Sequence, residues 1–303
     1  MKDMILKRSG SYNHYKNEYE KLLEENRILK DRIKELEKQN DDDSKDKEIE
    51  EKLDFLTRKV KGLSKKVRFK EKYDFRINNE LKYAFVFNDT IRDSEWLCDS
   101  KFSLVNSAAN YSFAYMLYRI LDESRPKNIL EFGLGQTSKI TSQYANFFDD
   151  VKLSIIEGDE VWIEKFSQNM NLTDNICIHH CDLEQFDFKG TENLRFKDIP
   201  NVVGDDKFDL IIIDGPLGYI PTDDGDVFME YPRSNVFDLI ENNLNDDFII
   251  VMDDCHREGE LRTMNHVEEL LTDKNIEYYS CSSVGLKEQY LLVSEKYVYI
   301  TWF

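Results

Sequence analysis

From residue 127 onward, short apolar runs alternate with amphipathic stretches, and an acid closes or follows each of the first five runs. The runs lie at 128–132, 151–156, 176–180, 208–213 and 248–252, and the acids at Glu131, Glu157, Asp182, Asp214 and Asp253-Asp254. Helical patterns follow the first run, through about Phe147, and the second, from about Glu160. Such alternation constrains the fold more than any other feature, because strands joined by helices build an open, doubly wound, mostly parallel α/β sheet. Two further runs at 276–281 and 289–294 read as closing strands, which 297–301 is expected to prolong. Ligands of open α/β sheets lie outside the carboxyl ends of the strands, so the acids are expected to rim one crevice.

Upstream, positions 12, 15, 19, 22, 26, 29, 33 and 36, all but 26 apolar or aromatic, take alternating steps of three and four, the a/d spacing of a coiled coil. Asn26 is the polar a residue, a device that fixes register in parallel dimers. Turn chemistry interrupts at 40–44. A second stripe, Ile49, Leu53, Leu56, Val60, Leu63 and Val67, runs one residue out of phase, so either the coil skips or the second helix folds back on the first. The organisation expected is an oligomerisation arm at 1–74, a bridging and lid segment with a buried helix at 75–126, and the chemical domain at 127–303. Within the bridge, 75–105 is expected to be loop or short helices and 107–122 the buried helix.

Charge narrows the function. Residues 1–74 balance at 21 − 18 = +3, and residues 75–303 at 20 − 42 = −22. A folded part that acidic is repelled by phosphate backbones and anionic lipid, which argues against nucleic acid as partner. No apolar run reaches the ~18–20 residues that span a bilayer. The opening MKDMILKRSG has no stretch of signal-peptide length, and five cysteines form no CxxC pair, so a cytoplasmic protein with reduced thiols is expected. Cys177, His179 and Cys181 share a strand face, where ordinary packing is the simpler reading than zinc.

Gly133-x-Gly135 after the first strand allows a tight turn and close ligand approach at the next helix's N-terminus. A dinucleotide turn would want a third glycine where Ser138 stands, which counts against a nicotinamide-dependent sugar oxidoreductase. ILEFGLGQTS, SIIEGDEVW and FDLIIIDGP together resemble the class I S-adenosylmethionine (SAM)-dependent methyltransferases over roughly 105–303. The resemblance implies that Glu131, Gly133 and Gly135 surround the methionine portion of SAM, and that Thr137 and Ser138, where the sequence departs from the fuller glycine pattern, are further cofactor contacts. It implies that Glu157 accepts from the ribose hydroxyls and that Asp182 lies near the adenine amino group. Asp214 with Asp253-Asp254 resembles the Mg²⁺ or Mn²⁺ site of catechol-type and macrolide-sugar O-methyltransferases, where an ion would bind the acceptor hydroxyl.

In DDCHREGE, His256 is a candidate general base beside Asp214. Arg257 could clamp an acidic acceptor or pair with a neighbouring carboxylate. The long loop 215–233 supplies Tyr219 and Arg233 as further candidate acceptor contacts. DGP and DDxHR resemble the glycan-modifying branch, so a sugar hydroxyl of a surface polysaccharide or other glycan is the expected acceptor. The competing reading is a non-catalytic coiled-coil scaffold.

Overall fold

The computed structural model describes residues 21–35, 46–104, 108–220, 222 and 225–302. The chain divides into two compact units, Met1–Phe75 and Arg76–Phe303. In the first, residues 21–35 are helical, and Leu22, Asn26, Leu29 and Ile33 are the residues of that stretch withdrawn from solvent. Tyr12, Tyr15, Tyr19, Leu36 and the turn expected at 40–44 lie outside the described residues. Helix α1 (Asp46–Thr90) carries the second stripe, with Leu53, Leu56, Val60, Leu63 and Val67 half-buried. No helix among the described residues is long and apolar enough to cross a membrane.

The second unit begins inside α1, which corrects the expectation of loop or short helices from 75. The helix continues because Arg76, Glu80, Tyr83 and Phe87 fall at three- and four-residue steps on one face, with Ile91 beyond them. Two of these are charged, which hides the stripe from a hydrophobicity reading. Arg76 pairs with Glu288 at 3.0 Å. Glu80 is almost wholly buried and accepts from the backbone N–H of Tyr111 (2.6 Å) and of Leu286 (3.0 Å) and from the Asn110 amide (2.7 Å). Asn110 in turn caps helix α2 (Tyr111–Arg119), which continues as a π-helical turn to Ser124.

Eleven strands follow among the described residues: β1 (Asn128–Phe132), β2 (Lys152–Glu157), β3 (Ile176–His180), β4 (Leu183–Phe188), β5 (Thr191–Phe196), β6 (Phe208–Ile213), β7 (Tyr219–Ile220), β8 (Val227–Phe228), β9 (Leu244–Met252), β10 (Tyr279–Val284) and β11 (Glu288–Val293). Seven of them form one sheet in the order β10-β11-β9-β6-β1-β2-β3. The five from β3 to β9 are parallel, and β11 pairs antiparallel with both β9 and β10. This is the doubly wound, mostly parallel, Rossmann-like sheet expected from the sequence. Chain order reverses between β1 and β6, making that junction the topological switch point.

Period-two alternation divides the strand side chains between two cores. Ile129, Leu153, Leu210, Ile212, Ile249 and Val251 pack on one face with α2 and with helix α3 (Gln136–Phe147). Leu130, Phe132, Ile211, Ile213, Ile250 and Met252 pack on the other, against helices α6 (Val236–Asn242) and α7 (Glu258–Asp273). Helices α4 (Glu160–Asn169) and α5 (Ile199–Val203) complete the connections.

Two further elements differ from expectation. The segment after β11 is a 3₁₀ helix, Glu295–Thr301, not a strand extension, because Tyr297 and Ile300 bury one face at a three-residue step. The hairpin β4–β5 went unread in the sequence although LEQFDF-KG-TENLRF alternates, and Lys189 and Gly190 both take positive φ (52° and 79°), as a two-residue hairpin turn requires.

Glu80→Ala should lower stability by roughly 3 kcal/mol, the scale for orphaning buried donors. Thermal unfolding measures this, and an unchanged midpoint contradicts the anchoring role of α1.

Candidate active site

Sheet topology brings the tips of β2, β1, β6 and β9 together. Gly133, just past β1, has φ +94° and donates its N–H to the Ile156 carbonyl at 2.9 Å. The Phe132 carbonyl accepts from Asp214 N at 2.9 Å. A Cβ on Gly133 would stand 2.8 Å from the Asp214 carbonyl oxygen, and one on Gly215 would stand 2.8 Å from Gly133 Cα. The two loops therefore pack backbone against backbone, and glycine is required on both sides. Gly135, by contrast, faces open space.

Glu157 lies against this turn. Its Oε2 accepts from Leu134 N at 2.9 Å, and its Oε1 accepts from Gly158 N (2.7 Å) and Asp159 N (2.9 Å). The side chain is half-exposed, and carboxylate oxygens hold roughly four acceptor sites between them, so it can take further donors. Trp162, which sequence reasoning did not single out, donates Nε1–H to the Leu134 carbonyl at 2.7 Å and exposes much of its indole beside the turn. Its signal was its position, five residues after Glu157.

Three expected cofactor contacts do not face the crevice. Glu131 is wholly buried, and its carboxylate accepts from Ser138 Oγ (2.9 Å) and Thr141 Oγ1 (2.6 Å). Burial pushes its pKa up, and these hydroxyls act in the opposite sense. Ser138 Oγ also accepts from Gly135 N at 2.9 Å, and both Thr137 and Ser138 have fully buried side chains. These residues brace β1 against α3, because a carboxylate inside the strand needs local donors. Asp182 lies on the rim beyond β3 with its side chain in solvent, 4.0 Å from His180 Nε2.

Asp214, Asp253 and Asp254 do converge, offering one oxygen each within 4.8 Å of one another. Both oxygens of Asp253 and one of Asp254 already accept from N–H donors. Asp253 accepts from Lys287 Nζ (2.9 Å) and Gln289 Nε2 (2.7 Å). Asp254 accepts from Arg233 Nη2 (2.8 Å), with Arg257 Nη1 at 3.3 Å and Lys287 Nζ at 3.2 Å, the last off hydrogen-bond alignment. Arg233 also reaches to 3.6 Å from Asp214. Burial opposes ionisation of Asp254, but Arg233, Lys287 and Arg257 outweigh it and hold the carboxyl below its ordinary range.

Arg233 is thereby corrected from acceptor contact to structural clamp. Its guanidinium is 3% exposed and donates to the carbonyls of Pro216, Ile213 and Asp253 as well as to Asp254. Both Arg233 and Asp254 take the left-handed backbone (φ 59° and 64°), strain that persists only where surroundings over-determine it. Lys287 and Gln289, more than thirty residues beyond Asp253, carried no local sequence signal.

His256 is exposed on its outer side. Burial of its inner side lowers its pKa, Asp254 acts in the opposite sense, and Arg257 and Arg76 lower it further. Arg257 pairs with Glu260 at 2.9 Å as well as with Asp254, so its charge is already matched within the chain. Tyr219 lies on the β7–β8 hairpin with its ring 5.9 Å from Phe228, and Gly218 at the hairpin's base packs on the Arg257–Glu260 pair.

No protein-family model matches the sequence, and no curated protein matches it. Solved structures do resemble the chain. An O-methyltransferase from Streptomyces achromogenes involved in tomaymycin synthesis, in complex with SAM, is 16% identical with a TM-score of 0.48, over 73% of this chain and 98% of that one. An O-methyltransferase from Bacillus cereus in complex with S-adenosylhomocysteine (SAH) is 16% identical with a TM-score of 0.40, over 72% and 91%. A methyltransferase from Geobacter sulfurreducens is 12% identical with a TM-score of 0.41, over 70% and 89%. The functional reading rests on this chain's own side chains.

Asp214 carries the pH prediction. Burial, then the charge of Asp253, push its pKa up to about 8, against the pull of Arg233 and Lys287. The unfolded chain releases this proton near pH ~4 and the folded chain holds it, so stability falls as pH rises from about 4 to about 8. The stability of Asp214→Asn relative to the parent should therefore grow across that window in thermal unfolding. A difference independent of pH contradicts this.

Proposed function

We propose that the chain is a SAM-dependent O-methyltransferase. One observation carries the reading: the half-exposed Glu157 carboxylate stands on the Gly133 turn at the switch point, with Asp214 on the other side of that turn. The residues present fit SAM in chemistry. Gly133 and the open Gly135 admit a ligand close to backbone, Glu157 retains acceptor capacity for a ribose hydroxyl, and Trp162 offers a ring face for adenine. When bound, SAM supplies an electrophilic methyl group on a sulfonium.

The chain must then hold an acceptor hydroxyl in line and take its proton. Asp214 is assigned that role, because its raised pKa makes it a stronger base than an ordinary carboxylate. His256, kept neutral by its surroundings, is the second acceptor of protons at the rim. The hairpin pair Tyr219 and Phe228 offers a stacking face to the acceptor, and a sugar ring, as in a glycan, is the acceptor proposed. A panel of methyl glycosides and catechols under one assay separates a sugar from a phenol.

Isothermal titration should show SAH binding to the parent, and Glu157→Ala should weaken it by about 1–3 kcal/mol. Asp214→Asn should bind SAH as before and transfer no methyl group. Unchanged affinity in Glu157→Ala removes the ribose role, and no SAH binding at millimolar concentration favours the scaffold reading.

We also propose that the arm assembles copies of the chain. The withdrawn stripe of Leu22, Asn26, Leu29 and Ile33 supports this, as does Asn26 Oδ1, buried without a hydrogen-bond partner among the described residues. Leu22→Asp with Leu29→Asp should reduce the mass measured by light scattering to that of a smaller species. An unaltered mass refutes assembly through this stripe.

A further inference from the structure

We propose that Lys287 is the resident cation of the acidic trio, held where a divalent ion would otherwise bind, and that the site takes up neither Mg²⁺ nor Mn²⁺. Its setting beside a reacting hydroxyl rests on the methyl-transfer reading, but the occupancy of the trio does not.

The donor set decides. A divalent ion needs carboxylate oxygens that point at a common centre and are free of other donors. Here Asp253 is wholly buried and both its oxygens are engaged, one by Lys287 Nζ at 2.9 Å and one by Gln289 Nε2 at 2.7 Å. Gln289 cannot turn its oxygen toward the site. Its Oε1 accepts from Ser112 Oγ at 2.7 Å and its Nε2 also donates to Asn110 Oδ1 at 3.0 Å, while the Asn110 amide donates to Glu80. The chain of donors thus fixes the Gln289 amide with its N–H toward Asp253.

Lys287 is equally fixed. It sits in the β10–β11 turn, where its carbonyl accepts from Gly285 N at 2.9 Å and where Leu286 N is tied to Glu80. One residue on, the Glu288 carbonyl accepts from Cys255 N at 2.8 Å, which pins this turn to the tip of β9. The ammonium is 10% exposed and lies between Asp253 and Asp254.

Charge gives the same answer. The two buried carboxylates, Asp253 and Asp254, are matched one for one by Lys287 and Arg233. Arg257 is shared with Glu260. An added divalent ion would stand beside two cations that cannot leave without stranding a buried carboxylate. The ammonium donates to Asp253 and stands 3.2 Å from Asp254 Oδ1, where it offsets charge without a hydrogen bond.

The test is a Mn²⁺ titration of the full chain followed by electron paramagnetic resonance. The parent should take up no stoichiometric ion, and a site for one Mn²⁺ per chain that disappears in Asp253→Asn overturns the proposal. Lys287→Ala, verified as folded by circular dichroism, should bind Mn²⁺ at least tenfold more tightly than the parent and unfold at higher temperature when it is present. A folded Lys287→Ala protein that gains no Mn²⁺ affinity also overturns it, and where that variant does not fold the parent titration decides. SAH binding on the same samples tests the methyl-transfer reading separately.

Discussion

The pairing of Arg233 with Asp254, continued through Lys287 to Asp253, is the constraint on which the carboxyl end of the sheet depends. Buried charges are tolerated only when opposed and hydrogen-bonded, and removing one partner costs more than the pair contributes. Here one guanidinium joins the carbonyls at the ends of β6 and β9 to the loop at Pro216, while one ammonium joins the β10–β11 turn to the tip of β9. Through Gln289, Asn110 and Glu80 the same network reaches α1. The left-handed backbone at Arg233 and Asp254 is explained by this: both are held by charge from several directions.

A rigid floor of this kind gives the crevice its shape. On one side of the switch point, the Gly133 turn and the Asp214–Gly215 loop touch backbone to backbone, so neither can move without the other. Glu157 is fixed by three amide donors, and Asp214 by its place among charged neighbours. The two carboxylates differ in character for a physical reason. Glu157 is served by backbone dipoles at the surface, whereas Asp214 is largely withdrawn from solvent beside another acid, which raises its pKa. Binding of polar hydroxyls suits the first, and proton transfer the second.

Much of this architecture was legible in the sequence because it repeats. Parallel strands buried on both faces read as continuous apolar runs, and the acids at their ends keep step with them. The glycines stood out because a turn that close leaves no room for a Cβ. What was not legible depends on distance along the chain. Arg233 read as an acceptor contact because its loop is long and polar, but its partners arrive from three separate elements. Lys287 and Gln289 reach Asp253 only through the pairing of β11 with β9. Glu131, Thr137 and Ser138 were placed in the crevice by likeness of motif, yet all three are buried, and the hydroxyls of Ser138 and Thr141 on α3 meet the Glu131 carboxylate in the seam between β1 and α3. Helix α1 escaped notice beyond 75 because its buried face there is carried by Arg76 and Glu80. The β4–β5 hairpin had its signal in the sequence, an alternating run on either side of Lys-Gly.

On the proposed reading, the tips of β2 and β6 face one nucleoside-binding crevice across the glycine turn. A crystal structure of the full chain with SAH tests it most directly. A ribose hydroxyl is expected within hydrogen-bond distance of Glu157, adenine toward Trp162, and the sulfur end opening toward Asp214. SAH bound elsewhere, or bound here with Glu157 and Asp214 facing separate surfaces, would contradict it.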